Sequence, residues 1–498
     1  MKKLILIAVL STWSGMLHAQ SEVDLFRYSS LRQSPSARLA GLGGAFGALG
    51  GDIGGISLNP AGLATFRKST ISLTPGLVSQ SSTGDYLGNT NSDSRSRLTM
   101  NSVGFVFAKR PSAKGSKWHQ VNYGFTLNRA NNYVNAQRYE GVNTNSSMVD
   151  FFVSEANQGN EFFPEDYPFS AGLAQQVGLI YSSIPGNNAS TFNGIVPAGA
   201  AVRQSEQIRS LGSTSDYNFS VAGNYDNKLH VGGGISLMSS SFNSTEIYSE
   251  FDQMDTIFDF KDFAYRRTLG VEMDGFVLRL GAVFQPIAWF RVGLSYESPT
   301  RYTVSEDFRV DLEANYDSVP TFASASSPLF RPFVYNYRTT GRTTASAAFL
   351  FAGKGLISVD YDYVPYDELR VTALRNDQGS EPWARNLNDR VAVLFRTSNN
   401  IRVGGEYVIG PLAVRAGYAF WGSPYRADVN TGGGDLSQRD FSLGLGTRFD
   451  NFSLDLSFVR AYWKSYRSPY VVESLPEDGV LFSNTRTLVQ FSLGFRLD

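Results

Sequence analysis

The 498-residue sequence contains no cysteine and only three histidines. Without thiols there is no disulfide framework, no thiolate zinc site and no cysteine nucleophile. Imidazoles this scarce leave little from which to build a Ser-His-Asp relay or a haem ligand set. Basic charge is not in excess: 44 Lys and Arg stand against 45 Asp and Glu, with no basic block. That argues against a nucleic-acid partner, because phosphate backbones are gripped by clustered Lys and Arg. Long apolar runs are missing as well. Beyond the amino end no stretch is apolar enough for a helical membrane span. What is abundant is 48 Gly, 36 Phe and 25 Tyr at only 18% charge, a mixture suited to strands and tight turns.

Lys2 and Lys3 precede an apolar run over 4–10, a small and polar stretch through Gly15, and Leu17-His18-Ala19 ahead of Gln20. This pattern reads as a secretory signal peptide over 1–19, cut after Ala19. Losing Lys2 and Lys3 leaves 42 basic against 45 acidic residues, a formal charge of −3. The mature chain is then exported, either as a soluble protein or as a barrel in an outer membrane.

Period-two alternation separates the two, since a strand with one apolar face must lay that face against something. Phe441, Leu443, Leu445 and Phe449 alternate with Ser442, Gly444, Gly446 and Arg448. After Asp450-Asn451 the pattern restarts with Phe452, Leu454, Leu456 and Phe458, and it returns in Val489, Phe491, Leu493, Phe495 and Leu497. Eleven further segments fall near 69–79, 97–109, 118–130, 214–226, 228–241, 274–286, 289–304, 338–352, 354–366, 398–409 and 410–421, giving fourteen. Their polar faces hold Arg279, Gly281, Arg291, Gly293, Asp360, Asp362, Arg402 and Glu406. Their apolar faces carry aromatics toward the segment ends, among them Phe284, Phe290, Tyr296, Tyr407, Tyr418 and Phe420. The expectation is an all-β protein, a 14-stranded antiparallel transmembrane β-barrel over 69–498.

Connection lengths agree. Asp226-Asn227, Pro286-Ile287-Ala288, Gly353-Lys354-Gly355, Ile409-Gly410-Pro411 and Asp450-Asn451 are tight, and the connections between them are long. Short periplasmic turns and long external loops are the habit of outer-membrane barrels, and they put both chain ends at the periplasmic rim. A soluble sandwich with its apolar faces turned inward is the alternative, but it has no reason to alternate loop lengths. One region is ambiguous: Arg390 to Phe395 reads as a short strand or as part of an external loop.

Residues 20–68 do not alternate. They contain a glycine-rich run from Leu39 to Asp52, then Leu58-Asn59-Pro60-Ala61-Gly62-Leu63-Ala64. The run lacks the register of a phosphate loop. It has too little bulk for its own core and is expected to fold inside the lumen, its glycines letting backbone approach the wall.

Asp52 followed by Asn59-Pro60-Ala61-Gly62-Leu63-Ala64, just ahead of the first strand, resembles the hatch signature of the FadL/TodX family of outer-membrane hydrophobe transporters. Gly281 to Pro286, the strand Arg291 to Pro299, Leu412 to Tyr418 and Ser442 to Asp455 resemble later strands of that family. The resemblance implies a monomeric barrel plugged by an N-terminal hatch over 20–68. It also implies passive inward movement of long-chain fatty acids or aromatic hydrocarbons, with a lateral exit where a strand is kinked. It marks Asp52, Asn59, Pro60, Ala61 and Gly62 as hatch or gating residues and leaves the ligand-binding residues unassigned. No catalytic residue, cofactor, metal or nucleic acid is expected; the partners are a hydrophobic small molecule and outer-membrane lipid.

Two other classes compete. An outer-membrane enzyme would have to use His119 or His230, both assigned to periplasmic strand ends. The acidic pairs Asp360 with Asp362 and Glu306 with Asp307 read as solvated lumen or loop charges. An interaction protein, a surface-export shuttle or adhesin, could use the long external connection over 131–213, with Phe151-Phe152, Phe162-Phe163 and Leu179-Ile180-Tyr181. That connection packs as a lid or forms a hydrophobe-collecting groove. Inward Arg279, Arg291, Arg402 and Arg415 are expected to pair with carboxylates such as Glu406 or Asp455, or to meet a fatty-acid carboxylate.

Overall fold

The computed structural model describes residues 22–30, 35–111, 116–184, 191–318, 320–374, 380–426, 429, 434–472, 475 and 478–497; the expected signal peptide over 1–19 lies outside them. Fourteen antiparallel strands close on themselves. They are β1 (Thr70–Tyr86), β2 (Asn89–Lys109), β3 (Trp118–Asn132, continued by Asn135–Asn143), β4 (Val202–Tyr225), β5 (Leu229–Phe251), β6 (Asp262–Ile287) and β7 (Phe290–Glu297, continued by Arg301–Asn315). The second half comprises β8 (Phe333–Arg338, continued by Arg342–Phe351), β9 (Gly355–Pro365), β10 (Thr397–Ile409), β11 (Leu412–Trp421), β12 (Gln438–Arg448), β13 (Phe452–Arg467) and β14 (Val480–Arg496). β14 returns to β1, Thr70 opposite Arg496 and Leu73 opposite Leu493, which closes the sheet into a barrel.

Alternation builds this wall as expected. On β6, Phe276, Leu278, Leu280 and Phe284 are exposed on the lipid side, whereas Val277, Arg279 and Val283 are buried inside. Aromatic pairs mark the tight-turn rim: Phe449 stacks on Phe452 with centroids 4.3 Å apart, and Trp289 on Phe349 at 6.3 Å. Asp226 and Asn227 both take positive φ, 52° and 55°, the conformation a two-residue hairpin turn demands. The opposite rim carries the long connections with one exception, the two-residue turn Leu87-Gly88 that caps a β1–β2 hairpin. The ambiguous segment is not a strand of its own but part of the long connection between β9 and β10. It belongs to a helix, Glu381–Leu394, because Ala384, Leu387 and Val391 recur at helical spacing and are buried.

Inside the wall lie α1 (Glu22–Ser29), α2 (Ala37–Gly41) and two 3-10 turns, Gly54–Ser57 and Pro60–Thr65. The chain over 35–66 crosses the bore. Ile53 packs on Gly104 of β2, Leu63 on Gly124 of β3, Pro60 on Gly232 of β5, and Asn59 on Gly281 of β6. Ala48 meets Gly293 of β7, Leu42 meets Gly404 of β10 and Gly417 of β11, and Gly41 meets Gly444 of β12. A Cβ at Gly104, Gly232, Gly281, Gly293, Gly404 or Gly417 would collide with the segment, so the wall supplies the close approach as much as the segment does.

The connection over 131–213 is not a loop throughout. Strand covers 135–143 and resumes at 202, and between them fold α3 (Met148–Ala156) and α4 (Ala171–Val177). Numbered in chain order, the helix Glu381–Leu394 is α5.

Candidate functional site

Polar groups fasten the bore-crossing segment. Ser36 caps α2 by accepting from the Leu39 amide. Arg38 donates to both carboxylate oxygens of Glu406 on β10, at 3.1 and 3.2 Å. Asp360 on β9 accepts from the amides of Phe46 and Gly47, at 2.9 and 3.0 Å. Asn122 on β3 donates to the carbonyls of Leu63 and Phe66, both at 2.8 Å.

Asn59 sits at the centre of this fastening. Its carboxamide nitrogen donates to the Gly47 carbonyl at 2.7 Å and reaches the Ala282 carbonyl of β6 at 3.5 Å; its oxygen accepts from the Ala61 amide at 3.0 Å. It thereby caps the 3-10 turn, with Pro60 at the first helical position, where a missing amide costs nothing. Ala61 and Gly62 are buried in the turn, and the Gly62 amide donates to the Asn59 carbonyl. Asp52 lies apart from them and accepts from the Gly54 amide at 2.9 Å.

The wall charges at this level are paired rather than solvated, which corrects the expectation for Asp360 and Asp362. Both are fully buried, and Arg402 reaches them at 3.4 and 2.7 Å. Arg415 bridges Glu406 and Asp455, each at 2.6 Å, as the sequence led us to expect. Arg279 takes partners the sequence did not single out, Asp216 at 2.9 Å and Glu297 at 2.7 Å. Arg291 has no ion pair among the described residues; it donates to the Gln285 side chain and to the Leu49 carbonyl. Glu306 is also buried, accepting from the Tyr335 hydroxyl, while Asp307 is exposed.

Above the crossing segment the lumen turns apolar. Val271, Met273 and Val277 of β6, Tyr302 and Val304 of β7, Tyr335 and Tyr337 of β8, and Val364 of β9 form one buried apolar cluster with Leu387 and Val391 of α5, which closes the chamber from above. α1 fills it. Leu25 and Tyr28 are buried there, the Leu25 carbonyl accepts from the Tyr337 hydroxyl at 2.6 Å, and Arg27 stands over the Phe242 ring at 4.6 Å.

One stretch of wall beside the chamber lacks a ladder, although 135–143 still packs on the top of the β1–β2 hairpin, where the Glu140 amide donates to the Asn91 side chain. β2 pairs with β3 only over Ser102–Lys109 against Val121–Asn128. Above that rung, residues 89–100 pair with β1 alone, and β3 turns toward β4 after a bulge at Ala130. Ala130 and Tyr133, at the parting, belong to the chamber lining.

Outside, α3 and α4 form a closed apolar cluster over the strand tops, burying Phe152, Phe162, Leu179 and Ile180 and leaving Phe163 and Tyr181 exposed. Of the two readings of this connection, lid packing accounts for most of its aromatics. Burial between the two helices pushes the Glu155 carboxyl up to about 7, against the opposing pull of Ser170 and the Ala171 amide. Beside the lid an open cavity of about 460 Å³ is lined by Asp255, Thr256, Ile257, Phe258, Asp259, Asp317 and Ser318. His119 and His230 stand at the tight-turn ends of β3 and β5. Among the described residues no cluster of His, Asp and Glu is placed to hold a metal ion.

No protein-family model matches the chain, and no curated protein matches its sequence. Solved structures do match over nearly its full length. A Pseudomonas aeruginosa FadL homologue covers 94% of this chain and 99% of its own at 13% identity and a TM-score of 0.53. The P. putida toluene transporter TodX covers 94% and 99% at 13% identity and 0.51, and the Ralstonia pickettii toluene transporter TbuX 94% and 100% at 13% and 0.50. At such identity the likeness is one of fold.

Proposed function

From a fold shared with the FadL and TodX barrels, we propose that this chain is an outer-membrane passage for hydrophobic compounds, long-chain fatty acids or aromatic hydrocarbons, moving without an energy source. The observation that carries the proposal is the apolar chamber enclosed above a bore-crossing segment and bordered by parted strands. The apolar residues there are packed by α1, so in this reading the space that α1 occupies is the space that cargo takes. Burial there is worth about 0.8 kcal/mol per methylene, so affinity needs few directed contacts and the chamber selects a class of cargo rather than one compound.

In this reading residues 20–68 act as a hatch, and Asn59, with Pro60, Ala61, Gly62 and Asp52, sets its closed shape. Cargo replaces α1 in the chamber and leaves through the parting between β2 and β3 into the bilayer. The tight-turn rim, with both chain ends, faces the periplasm, and one barrel suffices. The role is carriage rather than catalysis, since the two mature histidines stand at strand feet, away from the chamber. The test is uptake of labelled palmitate and toluene by cells carrying or lacking the protein. Equal uptake of both compounds in the two strains would favour the surface-shuttle or adhesin reading.

A further inference from the structure

Above the bore-crossing segment the chamber and the lid are two separate apolar clusters, and a layer of charge lies between them. On β5 the inward row runs from Phe242 of the chamber through Glu246 to Tyr248 of the lid cluster. On β6 it runs from Met273 and Val271 through Arg267 to Tyr265 and Phe263. Glu206 joins the layer from β4, where it is buried. Arg467 reaches it from across the bore. This residue ends β13, which β14, β1, β2 and β3 separate from β4. It nonetheless donates to Glu206 at 2.6 and 3.2 Å and to Glu246 at 2.7 Å. Arg267, the direct cross-strand partner of Glu246, lies 2.7 Å from that carboxylate and 3.2 Å from Glu206. Two guanidiniums thus share two carboxylates, and the bonds of Arg467 span the lumen.

Span and hydration set this layer apart from the ion pairs lower in the wall. Arg279 and Arg402 are 2% and 3% exposed, and Asp216, Asp360 and Asp362 beside them are fully buried. A dry pair that opens strands an uncompensated charge, so those pairs hold the wall together. Arg267 and Arg467 are each 25% exposed and Glu246 is 23% exposed. Water reaches the layer, and its bonds can part and re-form without leaving a charge dry. Arg27 of α1 is a third cation that acts on Glu246, so α1 seated in the chamber strengthens the layer above it.

We propose that this crossbar is an entry gate: bonded, it separates the lid from the chamber, and cargo from outside passes when Arg467 lets go of Glu206 and Glu246. The inference rests on the reading of the chamber as a passage for hydrophobes. An apolar chain has nothing to trade for an ion pair and must wait for the layer to part, so the crossbar sets the rate of entry and not the affinity of the chamber. Arg467→Gln removes the bonds that span the lumen while Arg267 stays bonded to both carboxylates. A hydrogen bond to a charged group is worth about tenfold in an equilibrium, so entry should quicken about tenfold.

The test measures initial uptake of labelled palmitate and toluene by cells, with equilibrium binding of palmitate to the purified barrel alongside. The expected result is that R467Q takes up cargo about tenfold faster than the wild type at unchanged affinity. R467K, which keeps the cation, should reverse most of that rise, with heat-modifiable mobility intact in both. Because the chain has no cysteine, E206C/R467C carries just two thiols. Joining them with a short bis-methanethiosulfonate should stop uptake, and dithiothreitol should restore it. Equal uptake by the linked and reduced forms overturns the proposal, as does R467Q uptake at or below the wild-type rate in an intact barrel. A changed affinity with an unchanged rate would make Arg467 a cargo contact and overturn it as well. Wild-type uptake no higher than that of cells lacking the protein refutes the passage reading itself, a result distinct from brisk uptake that the link leaves untouched.

Discussion

If α1 and cargo compete for one chamber, loosening α1 must tighten cargo binding. Leu25 is the place to loosen it: the side chain is wholly buried among strand residues, and its backbone carbonyl is held separately by Tyr337. Leu25→Ala therefore removes packing without removing that hydrogen bond. Truncating a buried leucine costs about 2–5 kcal/mol, part lost transfer energy and part residual cavity. Even the lower value raises the fraction of molecules with α1 released about thirtyfold. Because apparent affinity scales with the competent fraction, palmitate should bind L25A more tightly by up to that factor. Equilibrium binding of labelled palmitate to the purified barrel measures it, with heat-modifiable mobility as the check on the wall. Unchanged or weakened binding by an intact L25A barrel would refute competition and make Leu25 part of the cargo site instead.

Three further outcomes follow from other parts of the molecule. Gly281→Val places a side chain where the Asn59 carboxamide now sits, so the bore-crossing segment loses its seat and single-channel ion conductance rises; conductance at the wild-type level would contradict the fastening described for Asn59. Deleting Ala130, the bulged residue of β3, lets pairing with β2 continue upward and should cut uptake sharply with the barrel intact, whereas full uptake would move the exit elsewhere. The Glu155 carboxyl, raised from 4.5 to about 7 by burial, makes the lid bind a proton that its opened form releases. Lid stability is therefore greatest at acid pH and falls as the pH climbs through 7, by about 3 kcal/mol at most. Protection factors over 148–177, with the intrinsic base-catalysed rate divided out, should fall from about pH 5 to about pH 8, and Glu155→Gln should abolish that fall; equal protection at both values would sink the assignment.

The wall was legible in the sequence because one face of each strand must meet lipid, and the rows through Phe441 or Val489 carry that demand on their own. The tight turns were legible for the same reason: Asp226-Asn227 tolerates the positive φ that the hairpin needs. The chamber was not. Over 271–280 the inward Val271, Met273 and Val277 alternate with outward Phe276, Leu278 and Leu280, so both faces are apolar in part and the period-two signal fades where the lumen is greasy. α5 was missed because the span over 390–395 holds less than two helical turns, too short to separate 3.6 from 2. The pairing of Arg279 with Asp216 joins residues 63 apart in sequence and depends on register that no local pattern shows. The parting of β2 and β3 is a missing ladder, and an unmade bond leaves no mark in composition.

The central claim is that a hydrophobe enters the chamber walled by β5 to β9 above the bore-crossing segment. Anomalous diffraction from crystals grown with a brominated long-chain fatty acid tests it most directly. The account predicts a bromine peak among Phe242, Val277 and Tyr302 with Leu25 and Tyr28 displaced. Bromine found only along the lipid-facing belt, with α1 still seated against Tyr337, would contradict it.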